Sequence, residues 1–158
     1  CGEMRESLRS LKQKGQRKLH WQAESDPRRR KITAAIAQLD ACATVVIGTP
    51  VARSNPERAR RKCLEVLLLR LDAAGVGQVW LENRQSALNK RDAKTVLFLR
   101  GARLLSRHLR LDFAHPSDEP MLWLPDAVAG AVGLARRGAP EFRDALGGMV
   151  EEVDIHSA

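Results

Sequence analysis

The sequence predicts an α/β domain with a largely parallel sheet flanked by helices. Two observations carry this. Helical stripes of period 3.6 alternate with short strand-like runs, which is the order expected of right-handed crossovers. One of those runs, Ala43-Thr44-Val45-Val46-Ile47-Gly48, is continuously apolar and β-branched, the mark of a strand covered on both faces. Length and composition agree: 158 residues, 44% of them from the AVILMFWYC set, suit one domain with an ordinary core. The expected organisation is a single domain over 1–158, with an N-terminal helix in 1–15 and a C-terminal tail in 139–158.

Met4, Leu8 and Leu11 repeat at helical spacing, so 3–14 reads as an amphipathic helix stopped by Gly15. Residues 17–22 read as a short strand. Asp26-Pro27 opens a helix, with Asp as cap and Pro where no donor is needed, and Ile32, Ile36 and Leu39 form its stripe. After the 43–48 strand, Asn55-Pro56-Glu57 supplies a cap, a proline and an acid suited to a helix start. Cys63, Leu64, Leu67, Leu68 and Leu71 make its apolar face, and Gly75 ends it. Gln78–Glu82 is the next strand. Residues 89–107 form a helix with Phe98, Ala102 and Leu105 inward. Leu109–Phe113 is a strand, 114–120 a polar loop, 125–137 a small-residue helix stopped by Gly138, and 140–150 a weak final helix.

Charge is uneven along the chain. Lys plus Arg number 27 against 19 acids, a formal +8. Residues 41–110 hold 14 basic and 5 acidic side chains, whereas 111–158 hold 3 and 9. A basic body suits a polyanionic partner, with nucleic acid first among them, though Arg and Ala abundance also fits a compositional bias. No apolar stretch approaches the roughly 20 residues of a membrane span. Cys1, Cys42 and Cys63 do not form a disulfide framework, and Cys42 and Cys63 read as buried thiols of a reducing, cytoplasmic setting. The chain starts at Cys1 rather than Met, which reads as a fragment lacking its natural start.

In a parallel α/β sheet, ligands gather at the carboxyl ends of the strands. The sequence places Thr49, Arg53, Asn55 and Arg58 after the first long strand. After the second come Glu82, Asn83, Arg84, Asn89, Arg91 and Asp92. After the third come His115, Asp118 and Glu119, then Asp126. His20 joins them if its strand is parallel. Glu82 ends an apolar strand, where a carboxylate needs an ionic partner. That partner is either a divalent cation such as Mg²⁺ or a neighbouring Arg84 or Arg91, unless the side chain is simply exposed. Asp126 sits in a first helical turn, where an acid suits the dipole whatever the function. The small residues Ala127, Ala129, Gly130, Ala131 and Gly133 let that helix press close to the sheet and bring Asp126 toward Glu82. Two carboxylates on one divalent ion activate water and stabilise a displaced phosphate oxygen. Arg58, Arg60, Arg61 and Lys62 either track phosphates or form a solvated helix face. His115 is a proton shuttle or a solvated loop residue. Walker, G-x-G-x-x-G, C-x-x-C and G-x-S-x-G motifs are absent from the sequence.

The run Trp80-Leu81-Glu82-Asn83-Arg84, a helix, a strand, a loop and then Leu122-Trp123-Leu124-Pro125-Asp126-Ala127-Val128-Ala129-Gly130-Ala131 resembles the C-terminal half of an RNase H-like fold. It is most similar to an uncharacterised bacterial group of such domains whose final helix reads A-D-x-x-A-G-A. Lys18-Leu19-His20 and Asn55-Pro56-Glu57-Arg58 share in the resemblance, which spans about 16–138. It implies a three-layer RNase H-like fold, here without its N-terminal strand, and a hydrolase site for phosphodiester bonds. Glu82 and Asp126 would be catalytic ligands for Mg²⁺ or Mn²⁺, and Arg84, His20, Arg58, Arg91 and His115 would face the nucleic acid. The leading Asp that RNase H-like enzymes take from their first strand has no counterpart here. The resemblance makes the expected function an Mg²⁺-dependent nuclease or related phosphoryl-transfer enzyme, while the missing Asp favours the alternative. The alternative is a non-catalytic nucleic-acid- or protein-binding module on the same fold.

Overall fold

In the computed structural model, which describes residues 2–49 and 55–156, the first half of the chain runs α1 (Gly2–Ser10), a 3₁₀ turn (Trp21–Ala23), α2 (Asp26–Ile36), β1 (Ala43–Thr49) and α3 (Pro56–Ala73). Then come β2 (Gln78–Glu82), α4 (Ser86–Gly101), β3 (Arg110–Ala114), a 3₁₀ turn (Pro120–Leu122), α5 (Trp123–Ala135), α6 (Glu141–Ala145), a 3₁₀ turn (Gly147–Met149) and β4 (Val150–His156). The chain is mixed α/β, with small sheets flanked by helices. Among the described residues the strands form two pairs, β1 with β4 and β2 with β3, rather than one larger sheet. The β2–β3 pair is parallel, as expected.

The chain forms two compact units, 1–45 with 115–151 and 46–114 with 152–158. The first contains α1, α2, α5 and α6. Its α5 packs on α2, α6 and the two turns Trp21–Ala23 and Pro120–Leu122, and α1 packs on the latter turn. Trp21, Ile32, Ile36, Ala127, Val128, Ala131 and Phe142 are buried. The Trp21 and Phe142 rings meet edge to face at 5.6 Å, and the Arg29 guanidinium lies 5.3 Å from the Trp21 ring centre.

The second unit holds α3, β2, α4 and β3. The Asn55 side chain accepts a hydrogen bond from the Arg58 backbone N–H at 3.1 Å and so caps α3. At the other end Gly75 takes a φ of +77°, the left-handed geometry that closes a helix. Leu64, Leu68, Val79, Val96, Leu99, Leu105 and Leu109 form the core, with Leu81 and Leu111 packed against it. The register sets Val79 opposite Leu111 and Trp80 opposite Asp112, so the second pair occupies the other sheet face, and Trp80 is exposed there.

Several expectations are corrected. Residues 17–22 form no strand. Leu19 and Trp21 alternate inward, which imitates a strand pattern. Their backbone instead turns: the N–H of Ala23 donates to His20 O, and that of Glu24 to Trp21 O. Ser25, not Asp26, occupies the cap position of α2, while Asp26 lies in the first turn and pairs with Arg29 at 3.0 Å. Strand β1 is half-buried along most of its length rather than covered on both faces, consistent with its single strand neighbour. In α4 the inward residues are Asp92, Thr95, Val96 and Leu99, one step out of phase with the expected face, and Phe98 is 65% exposed. The final helix shrinks to Glu141–Ala145. Gly147, at φ +58°, turns the chain into the unforeseen strand β4.

Candidate nucleic-acid interface

Strand β2 ends at Glu82, exposed and in register with Ala114 of β3. The Asn83 N–H donates to Ala114 O at 2.8 Å, carrying the parallel pairing one step further. The next turn is tied by Asn89, whose side chain accepts from the Arg84 N–H at 2.9 Å and donates to the Asn83 side chain. This turn directs the Arg84 side chain back under the helices. Its guanidinium donates to both Glu57 oxygens, at 2.9 and 3.3 Å, and to both Asp92 oxygens at 3.1 Å. Arg60 reaches the same Asp92 at 3.0 Å. Burial works against the Arg84 cation, yet its hydrogen bonds to Glu57 and the field of Asp92 more than offset it and raise its pKa. The hydrogen bonds from Arg84 in turn hold the Glu57 carboxyl below the ordinary carboxylate range. Asp92 is buried, and the two guanidinium partners are what make that position tenable. Arg84 is therefore engaged in fastening α3 to the β2–α4 turn.

Above this network lies a cleft of about 610 Å³ between α3 and α4. Arg58, Arg61 and Glu65 line it from α3, and Arg91, Lys94 and Phe98 from α4. Each trio follows the i, i+3, i+7 spacing of one helix face. The three acids at the cleft already have partners. Glu57 and Asp92 are held by Arg84, and Glu65 by Arg61 at 3.4 Å. Arg58, Arg91 and Lys94 are exposed and have no ion-pair partner among the described residues. Three positive charges are thus unmatched at one recess. The unit containing it has 14 basic against 8 acidic side chains in its sequence, the other unit 13 against 11. Arg58 and Arg91 were legible as candidates from their places after strands. Lys94 and Phe98 were not, because their relevance comes from the packing of one helix face against another. Thr49 closes β1 in an exposed position, and Arg53 lies outside the described residues.

The remaining candidates sit in the other unit. Asp126, in the first turn of α5, accepts the Trp21 N–H at 3.0 Å, and the same oxygen lies 3.2 Å from His20 Nδ1. Its carboxylate therefore orders the chain entering the Trp21–Ala23 turn. The small residues of α5 read as letting it press on the sheet; the close approach the structure shows is instead to an indole. A Cβ added at Gly130 would stand 2.1 Å from Trp21 Cδ1. His115 is exposed and its Nδ1 lies 2.8 Å from Ser117 Oγ, inside a turn closed by the Asp118 and Glu119 N–H groups on His115 O. Glu119 takes a forked hydrogen bond from Arg5, which with the Met121 N–H holds its carboxyl below the ordinary range despite partial burial.

Glu82 and Asp126 fall in different units. Carboxylate oxygens are suitable ligands for Mg²⁺ or Mn²⁺. Among the described residues, no three His, Cys, Asp or Glu side chains converge as a metal-holding group. One Asp126 oxygen is already engaged by the Trp21 N–H and approached by His20. No helix among the described residues is long and apolar enough to cross a membrane. No family model, curated protein or solved structure matches the chain.

Proposed function

We propose that the chain binds nucleic acid and that the α3–α4 cleft is its phosphate-contacting surface. The observation that carries this is the set of three cations, Arg58, Arg91 and Lys94, without an ion-pair partner among the described residues, at one recess whose acids are each held by another guanidinium. Cations already bound to carboxylates would have to break those pairs to meet a phosphate, whereas these three exchange only water and counterions. Arg84 and Arg60 act beneath them by fixing α3 against the β2–α4 turn. The test is polynucleotide binding across a salt series with the whole chain. Binding should weaken steeply with salt, and Arg58→Ala, Arg91→Ala and Lys94→Ala should each weaken it further. A binding constant unchanged between low and moderate salt sinks the reading.

A second reading is the Mg²⁺-dependent nuclease of RNase H-like type. It draws support from Glu82, exposed at the carboxyl end of a strand paired in parallel, where such sheets hold ligands. Glu82 would be a metal ligand, and the bound ion would supply an activated water and charge stabilisation. In that reading Glu82→Gln abolishes Mg²⁺-dependent cleavage while the chain stays folded. Unchanged cleavage by that variant removes Glu82 from the site.

A further inference from the structure

Resting on the nucleic-acid reading of the same cleft, we infer that it takes a single strand in preference to a duplex, with Phe98 as a base-stacking platform beside the phosphate-binding Arg58, Arg91 and Lys94. Phe98 prompts this. An α4 phenylalanine would ordinarily supply core volume, yet 65% of it is exposed, as is the adjacent Leu97, while Val96 and Leu99 of the same turn are buried; of the two exposed side chains, Phe98 is the one that lines the cleft. It lines the cleft with the cations rather than lying on a separate apolar face. Arg91, Lys94 and Phe98 occupy one row of α4, about 10 Å long at the helical rise. A backbone following Arg91 and Lys94 along that row would bring a base to the ring.

Chemistry and size both favour a single strand. In a duplex each base has its flat faces covered by its neighbours, so an exposed ring has nothing to stack on. In a single strand those faces are available, and stacking on an aromatic ring is strong and tolerant of sequence. The recess, about 610 Å³, has the scale of sites that enclose a drug-sized molecule, which is also that of a nucleotide. A duplex has no free base face to offer Phe98 and would meet only the cations. An acidic peptide would also satisfy the cations, but it carries no regular array of flat rings for Phe98.

The experiment uses the whole chain with a fluorescent oligothymidylate, a duplex of equal length and polyglutamate at matched salt, read by anisotropy. The expected result is tighter binding of the single strand. Phe98→Ala should weaken single-strand binding roughly tenfold or more. It should leave duplex binding and the salt dependence unchanged, and Phe98→Trp should restore affinity. Phe98 is exposed, so circular dichroism should show the variant folded. Equal binding of single strand and duplex, no effect of Phe98→Ala, or polyglutamate competing as well as the oligonucleotide overturns the inference. The first two leave the phosphate-binding reading standing if binding still falls with salt. Loss of all salt-dependent binding by the unaltered chain overturns both.

Discussion

At Gly130 one methyl group decides whether α5 can lie against Trp21. An added Cβ would come within 2.1 Å of the indole Cδ1, and the ring is pinned on its other sides by Phe142 and Arg29. The turn that carries Trp21 is also held by the Asp126 carboxylate, so its backbone cannot retreat without breaking that hydrogen bond. Gly130→Ala should therefore destabilise the protein by about 1–3 kcal/mol, the usual cost of overpacking. Gly133 supplies the control. It lies in the same helix, and a Cβ there meets only the flexible end of Arg137 at 3.8 Å. Gly133→Ala should be neutral or stabilising by up to about 1 kcal/mol, because alanine is the better helix former. Urea denaturation of both variants checks the pair. Equal effects at the two positions would show that the contact with Trp21 does not limit the packing of α5.

At the scale of elements, α3 and α4 are joined through charges as well as through Leu64, Leu68, Val96 and Leu99. The sign of the pH dependence follows from Glu57. Its pKa is lowered in the folded state by the Arg84 hydrogen bonds, so its contribution is fully present above the ordinary value of 4.5 and is lost as pH falls through the folded value. Glu119, bound by Arg5, and Asp72, which accepts hydrogen bonds from the Ser106 hydroxyl and N–H, act in the same direction. Stability should be flat from neutrality down to about pH 5 and fall below it, and Glu57→Gln should shrink that fall. Arg84→Met should cost about 1–3 kcal/mol near neutral pH, since it leaves the buried Asp92 with Arg60 alone. Urea midpoints at a series of pH values check both. The helix starts at Asn55-Pro56 and the strands β2 and β3 were legible because their signals are local: a cap, a fixed φ, an apolar run. The true face of α4 was not, because Asp92 turns inward to meet Arg60 and Arg84, partners that only tertiary packing supplies. Strand β4 escaped for a similar reason. Val150, Val153 and Ile155 lie among acids, and pairing with β1, not local propensity, makes the segment extended. Likewise Arg58 and Arg91 could be named one by one, but the recess they share could not.

Across the whole molecule the question is whether a polyanion responds to the formal charge of +8 or to one built surface. The two give different salt laws. Each phosphate contact on a single strand releases counterions that contribute about −0.7 to the slope of log K against log salt. If Arg58, Arg91 and Lys94 make the contacts, the slope should be about −2, and neutralising any one of them should bring it nearer −1.4. If diffuse attraction to the basic body drives binding, the slope has no tie to these three side chains. Replacing any one of them then barely alters it, and an exposed cation elsewhere, such as Arg30 or Lys31 in the other unit, matters as much. Measuring the slope for the unaltered chain, for Arg91→Ala and for Arg30→Ala decides between them. A localized site requires the slope to change only for Arg91→Ala. Equal changes in the two variants would mean that charge spread over the surface, rather than the α3–α4 cleft, is what a nucleic acid meets.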